Sequence, residues 1–437
     1  MKGDTFVSDL RVRRGWGTSI LILLPLTFIT FGVLMVAVTN VEGKKTAKAS
    51  GKEVLYSGIG PALTEYDVDV SSATLTKRDS VAIPGALTET AILPSKKYLY
   101  SVWTNNKVTP QGHGMSAFSI DPESGALTPH GEPVPLPSGP GYISYVTTDI
   151  SGTHLLASLT DPANLTVYRI MPDGTIGSEV KQNAPLNFGN HPHQVRMDPS
   201  NKTVFLMTRG DAPTARHAEN SGALKLYSYD DGQLANSETV APNQGFGYQI
   251  RHLDFHPSGK WVYITLEAQQ KLLVYQRNSD GTLNPTPLFT KDTLDDPSKV
   301  RDGQVLGTVH VDRTGKFLYV ANRASGTKNV DGKRIFVGGE NSIVVFAINQ
   351  STGEPTKIQS IDSQGLHPRT FALDPSGKLL VANNISQLNV KDGEDVKLFP
   401  PNLAVFRVGS DGKLTFVRKY DVAFSNNFDW VGIISLP

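Results

Sequence analysis

His193, Arg209, Arg251, Glu267, Arg323 and Arg369 are side chains that together could hold an anion and move a proton, and they recur at matched places in the chain. Arginine grips carboxylate or phosphate through paired, parallel N–H donors. The same donors can stabilise negative charge building on an oxygen. Histidine and glutamate are the groups that commonly exchange the proton.

Their placement follows from a repeat. An apolar strand, a D-P-S-G-K-like turn and a second apolar strand recur about seven times, about every 50–60 residues, which is the spacing of propeller blades. Clear copies surround Asp198-Pro-Ser-Asn-Lys202, His256-Pro-Ser-Gly-Lys260 and Asp374-Pro-Ser-Gly-Lys378. Five residues before the turn aspartate or its equivalent, one column reads Thr88, Ser144, His193, Arg251, Gly307, Arg369. At the end of the second strand another reads Gly60, Thr104, Thr160, Arg209, Glu267, Arg323, Asn384. An antiparallel hairpin sets the two columns side by side at its open end. His193 is expected beside Arg209, Arg251 beside Glu267 and Arg323 beside Gly307. The charged set then converges on one mouth of a central channel, from blades four to seven. Three long insertions, Asp211 to Gly222, Ala324 to Asn341 and Ser386 to Pro401, leave the same face and would wall a ligand site. The plain alternative is a cross-strand ion pair between Arg251 and Glu267.

Runs of β-branched and aromatic residues between Gly, Asp, Asn and Pro turns imply an all-β fold, a seven-bladed propeller. The first unit begins at its second strand, Val54-Leu-Tyr-Ser, and Trp430-Val-Gly-Ile-Ile-Ser-Leu is left over at the other end. Pairing the two in one blade would close the ring and remove exposed edges. His256 fills the turn slot of its sister aspartates and reads as structural, while His130, His191, His217 and His310 show no ligand spacing. No metal or cofactor is expected, since neither H-x-x-x-H nor a paired acidic cluster occurs. Without a G-x-S-x-G elbow a serine hydrolase is not expected. The absence of cysteine excludes disulfides and thiol nucleophiles, and a net charge of +1 gives no reason to expect nucleic acid.

Ile20 to Val38 runs for about 19 residues without a charge, long enough to cross a bilayer as a helix. The chain therefore divides into a tail and hydrophobic segment over 1–43, a tether over 44–52 and a propeller over 53–437. Basic residues flank the segment almost equally. We expect a membrane anchor with the propeller exported to periplasm or exterior, the alternative being secretion after cleavage near Ala47-Lys48-Ala49.

From about Val54 to its end the chain resembles the seven-bladed propeller lactonase family, which includes propeller-type 6-phosphogluconolactonases and the fungal carboxymuconate lactonising enzyme. The resemblance rests on His191-Pro-His193-Gln-Val, Ile250-Arg251-His252-Leu with Glu267, Phe317-Leu-Tyr-Val-Ala-Asn322-Arg323 and His367-Pro-Arg369. It implies metal-independent hydrolysis of an anionic sugar or organic-acid lactone, with His193, Glu267, Arg251 and Arg323 as catalytic residues. Arg209, Arg369 and Asn384 would bind the substrate. An unperturbed imidazole suits His193 to proton transfer, whereas Glu267 beside Arg251 should stay ionised and orient it or serve as a second base. The alternatives are a lactonising cycloisomerase and a non-catalytic envelope propeller binding carbohydrate or protein. The chain departs from the family at Ala212-Pro-Thr-Ala-Arg216-His217, in the expanded stretch after Arg323 and in its apolar N-terminal segment.

Overall fold

The computed structural model describes residues 51–105, 112–136, 143–215, 217–423 and 430–437. The apolar stretch Ile20 to Val38 lies outside them. Among the described residues no helix is long and apolar enough to cross a membrane.

Among the described residues there are eight four-stranded sheets, and seven of them follow the repeat. Second strands such as Trp261–Leu266 are buried along their whole length, the pattern of a continuous apolar run covered on both faces. Fourth strands such as Leu414–Asp421 expose most of theirs. The first strands of neighbouring sheets lie side by side and surround the channel. Trp430–Ser435 pairs antiparallel with Glu53–Gly58 in the first sheet. It also touches the first strands of the second and seventh sheets, Ala86–Ile92 and Pro368–Leu373.

Seven apolar clusters join each sheet to the next, the last binding Leu55 and Val431 of the first sheet to Val381 and Val405 of the seventh. Polar latches repeat between them. Tyr56, Tyr100, Tyr263 and Tyr319 donate their hydroxyls to the carbonyls of Gly125, Gly174, Gly353 and Gly412 at 2.7, 2.9, 2.9 and 2.9 Å. Each glycine sits in the third-to-fourth strand turn of the next sheet. The turn aspartates are structural: buried Asp198 accepts from the backbone N–H groups of Lys202 and Thr203 at 3.0 Å each. His256 does the equivalent work, with its Nδ1 2.8 Å from Ser258 Oγ and its Nε2 3.0 Å from the Gly315 carbonyl.

The eighth sheet is built from two of the insertions. Hairpins Thr327–Val330/Lys333–Phe336 and Leu388–Asp392/Asp395–Phe399 meet through a parallel pairing at Ile335 and Asn389. The first hairpin turns on Asp331-Gly332, both with positive φ (50° and 77°), the two-residue turn that Asp-Gly favours. Two of the three long insertions are thus paired strands.

Candidate active site

The first strands of sheets two to seven each carry a register shift, and each shift falls at the aligned column. It lies at Thr88, Ser144, His193-Gln194, Arg251-His252, Gly307-Thr308 and Arg369. Trp430–Ser435 pairs with no such shift. A bulge inserts one residue and re-aims the side chains beside it. Consecutive residues such as Arg251 and His252 are therefore released from strict two-faced alternation, and both are buried.

Glu267 is the centre of the charged set. Its Oε1 accepts from Arg251 Nη1 at 2.9 Å and from Arg323 Nη2, and its Oε2 accepts from Arg209 Nη1 at 3.0 Å. Three sheets thus meet at one carboxylate. Arg323 is held further by Nε donating to the Leu306 carbonyl at 2.8 Å, and its Nη1 lies 2.7 Å from His367 Nε2.

Two expectations of register need correction. Arg323 stands opposite Val305 rather than Gly307. Arg209 stands beside His191 rather than His193, because Pro192 pairs with Thr208 and the bulge follows. Its backbone N–H meets the His191 carbonyl at 3.0 Å, and its Nη2 lies 3.3 Å from His191 Nε2. Asn384 is also committed elsewhere. Its amide donates to the Ser363 carbonyl at 2.7 Å and to Asn402 at 2.9 Å, and accepts from Ser363 Oγ at 2.8 Å. Those bonds tie Asn384 to Ser363, which follows the last strand of the sixth sheet, and to Asn402 of the seventh.

Sequence reasoning passed over His191 and His367. Both precede proline and both take the left-handed backbone, at φ 54° and 60°, which is costly for a residue other than glycine. The paired His-Pro dipeptides were the available sign. His191 Nδ1 lies 3.0 Å from Asp211, so Asp211, His191, Arg209 and Glu267 form a chain of contacts.

Electrostatics set the protonation states. Burial pushes the Glu267 carboxyl up, but Arg251, Arg323 and Arg209 outweigh it and hold the group well below the ordinary carboxylate range. Burial pushes His193 well below 6.5, aided by Arg251, His252, Arg209 and Arg369. It is therefore a neutral imidazole, not a group titrating near neutrality as its type alone suggests. Its Nδ1 is buried without a hydrogen-bond partner among the described residues. Arg369 is near enough to depress His193, His252 and His367 as well. Three guanidinium groups (Arg209, Arg251, Arg323) stand against the carboxylates of Glu267 and Asp211, leaving one positive charge in excess for an anion to answer. Among the described residues no group of three or more His, Asp or Glu is arranged to hold a metal ion.

A cavity of about 490 Å³ lies at the other end of the channel, by the D-x-x-G turns. Its charged walls carry both signs, Glu89, Asp312 and Asp374 with Arg313 and Lys316. An anion has less reason to bind there than among the arginines.

The family model described as Lactonase, 7-bladed beta-propeller matches residues 54–391. The chain belongs to this lactonase family. Its relatives include the 6-phosphogluconolactonase of Bacillus subtilis (strain 168), 28% identical over 346 residues that cover 78% of this chain and 86% of the relative. That of Formosa agariphila is 32% identical over 322 residues, covering 70% and 80%. Among solved structures, the periplasmic gluconolactonase of Pseudomonas aeruginosa shares the lactonase fold with a TM-score of 0.65. It is 17% identical, with 88% of this chain and 99% of that one covered.

Proposed function

We propose that this lactonase hydrolyses an anionic sugar or organic-acid lactone at the arginine mouth, with His193 as general base. The observation that carries the reading is the convergence of three guanidinium groups on Glu267 beside a buried neutral imidazole. Glu267 fixes the arginines in place before substrate arrives. Each guanidinium keeps N–H donors beyond those it spends on the carboxylate, because it carries five. Those donors, with Arg369, hold the substrate's phosphate or carboxylate and stabilise the oxyanion that forms when water adds to the acyl carbon. His193 takes the water's proton.

The curated relatives named 6-phosphogluconolactonase support a phosphorylated sugar lactone as the substrate class. The test is a panel of matched lactones carrying phosphate, carboxylate or no charge, offered to the purified protein. Charged lactones should show kcat/KM at least about tenfold above the neutral one, the effect of one charge-assisted contact. Equal rates for all three would sink the anionic reading, and no hydrolysis of any would sink the enzymatic one.

We also propose that Ile20 to Val38 anchors the chain and that the propeller is exported. The support is the length of its uncharged apolar run. Fractionation of expressing cells, with protease added outside the cytoplasmic membrane, should find the propeller membrane-bound and accessible. Recovery in the soluble cytosolic fraction would overturn it.

A further inference from the structure

Hydrolysis of a lactone near neutral pH yields a hydroxy-carboxylate and one surplus proton. Water supplies its oxygen to the acyl carbon, the ring C–O bond breaks, and the leaving oxygen keeps one proton. The second must depart. At this site it begins on His193, whose surroundings disfavour an imidazolium: the pocket is buried, and Arg251, Arg209 and Arg369 are close. The mouth, where Arg209, Arg251 and Arg323 outnumber the carboxylates they meet, is a poor way out for a proton.

A line of proton-carrying groups leads the other way. The His193 and His252 rings lie 5.3 Å apart between centroids. His252 Nδ1 is 3.0 Å from Thr308 Oγ1, and that hydroxyl is 3.4 Å from His310 Nε2. His310 Nδ1 is 3.7 Å from Asp254 Oδ2. His252, Thr308 and His310 all line the turn-end cavity, together with the carboxylates of Asp312 and Asp374. The bulges place them there. Thr308 and His252 are the second residues of two neighbouring bulges, the first being Gly307 and Arg251. The groups facing this line are Tyr145, edge-on to His252 at 5.9 Å, Asp254 and its partner Arg196 at 3.1 Å, and Arg251, Arg323 and Arg369. Burial and these three arginines hold His252 well below 6.5, so that it carries the proton only in passing. Asp254 also accepts from the Val311 N–H at 2.9 Å, which fixes a carboxylate beside His310 to receive its charge.

We propose that the surplus proton leaves His193 through His252, Thr308 and His310 to the cavity at the turn end, so that substrate and proton use opposite ends of the channel. The proton passes from His193 to the His252 ring beside it. His252 Nδ1–H passes a proton to Thr308 Oγ1 as the hydroxyl passes its own to His310 Nε2. His310 then releases a proton to water in the cavity. No bond other than O–H and N–H changes. Thr308 and His310 are relay residues rather than catalytic ones, since neither lies among the arginines that would hold the substrate.

The inference rests on His193 as the base, and the test separates the two. Steady-state hydrolysis by the full chain is followed at neutral pH in weak buffer, then with rising imidazole as a small diffusible proton carrier. His310→Ala and Thr308→Val should lose kcat by about tenfold or more in weak buffer and regain it with imidazole. KM should hold within about twofold, and Thr308→Ser, which keeps the hydroxyl, should match wild type. A merely structural role would not respond to the carrier. Variants as fast as wild type in weak buffer would overturn the relay, as would variants slow at every imidazole concentration while still folded. Loss of activity in His193→Gln beside an unaffected His310→Ala sinks the relay alone. Full activity in His193→Gln sinks the base assignment itself.

Discussion

Replacing His193 with glutamine is expected to lower kcat for lactone hydrolysis by about 10²–10⁴-fold, the contribution of a positioned general base. KM should change little, because the anion is held by guanidinium groups and not by the imidazole. The basis is that His193 is buried, neutral and unpartnered at Nδ1 among the described residues. Glu267 is the competing base, and the geometry argues against it. A carboxylate engaged by Arg251, Arg323 and Arg209 is ionised but weakly basic, since taking a proton would break three charge-assisted contacts. Glutamine preserves polarity and approximate volume, so loss of rate reports the missing base and not a cavity. A glutamine variant with kcat within a few-fold of wild type would return the role to Glu267.

The largest effect on stability is expected from Glu267→Gln. Removing the carboxylate leaves Arg209, Arg251 and Arg323 without their shared counter-charge, and two of these, Arg251 and Arg323, are almost fully buried. Breaking a buried ion pair from one side costs about 3–5 kcal/mol. Denaturant unfolding at neutral pH should show the loss as a lower midpoint. The effect should depend on pH with a defined sign. The Glu267 pKa is lower in the folded protein than its ordinary 4.5. Its contribution is therefore present above that value and fades as pH falls through the lower folded one, where the two proteins should converge. His193, His252 and His367 are also depressed from 6.5. The unfolded chain binds protons at these histidines first, so both proteins should lose stability on acidification below 6.5. Only the difference between them isolates Glu267. Equal midpoints for variant and wild type at neutral pH would show that the arginines find other partners.

The repeat and its turns can be read from the residues because their causes are local. Asp-Pro-Ser-Gly-Lys turns, strand runs such as Trp261–Leu266 and the leftover Trp430–Ser435 are each short-range patterns that permit few folds. The alignment also finds His193, Arg251, Glu267 and Arg323, because equivalent places in a repeat occupy equivalent places in space. What no residue pattern states is the register. One extra residue in six first strands sets Arg209 opposite His191 rather than Pro192 and turns His252 and Thr308 towards the channel. A bulge has no composition of its own, and its effect on each side chain exists only once the partner strand is in place. The neutrality of His193 is decided at the same level. An imidazole's pKa follows from burial and from charges brought by other sheets, and those neighbours are assembled by packing, not by distance along the chain.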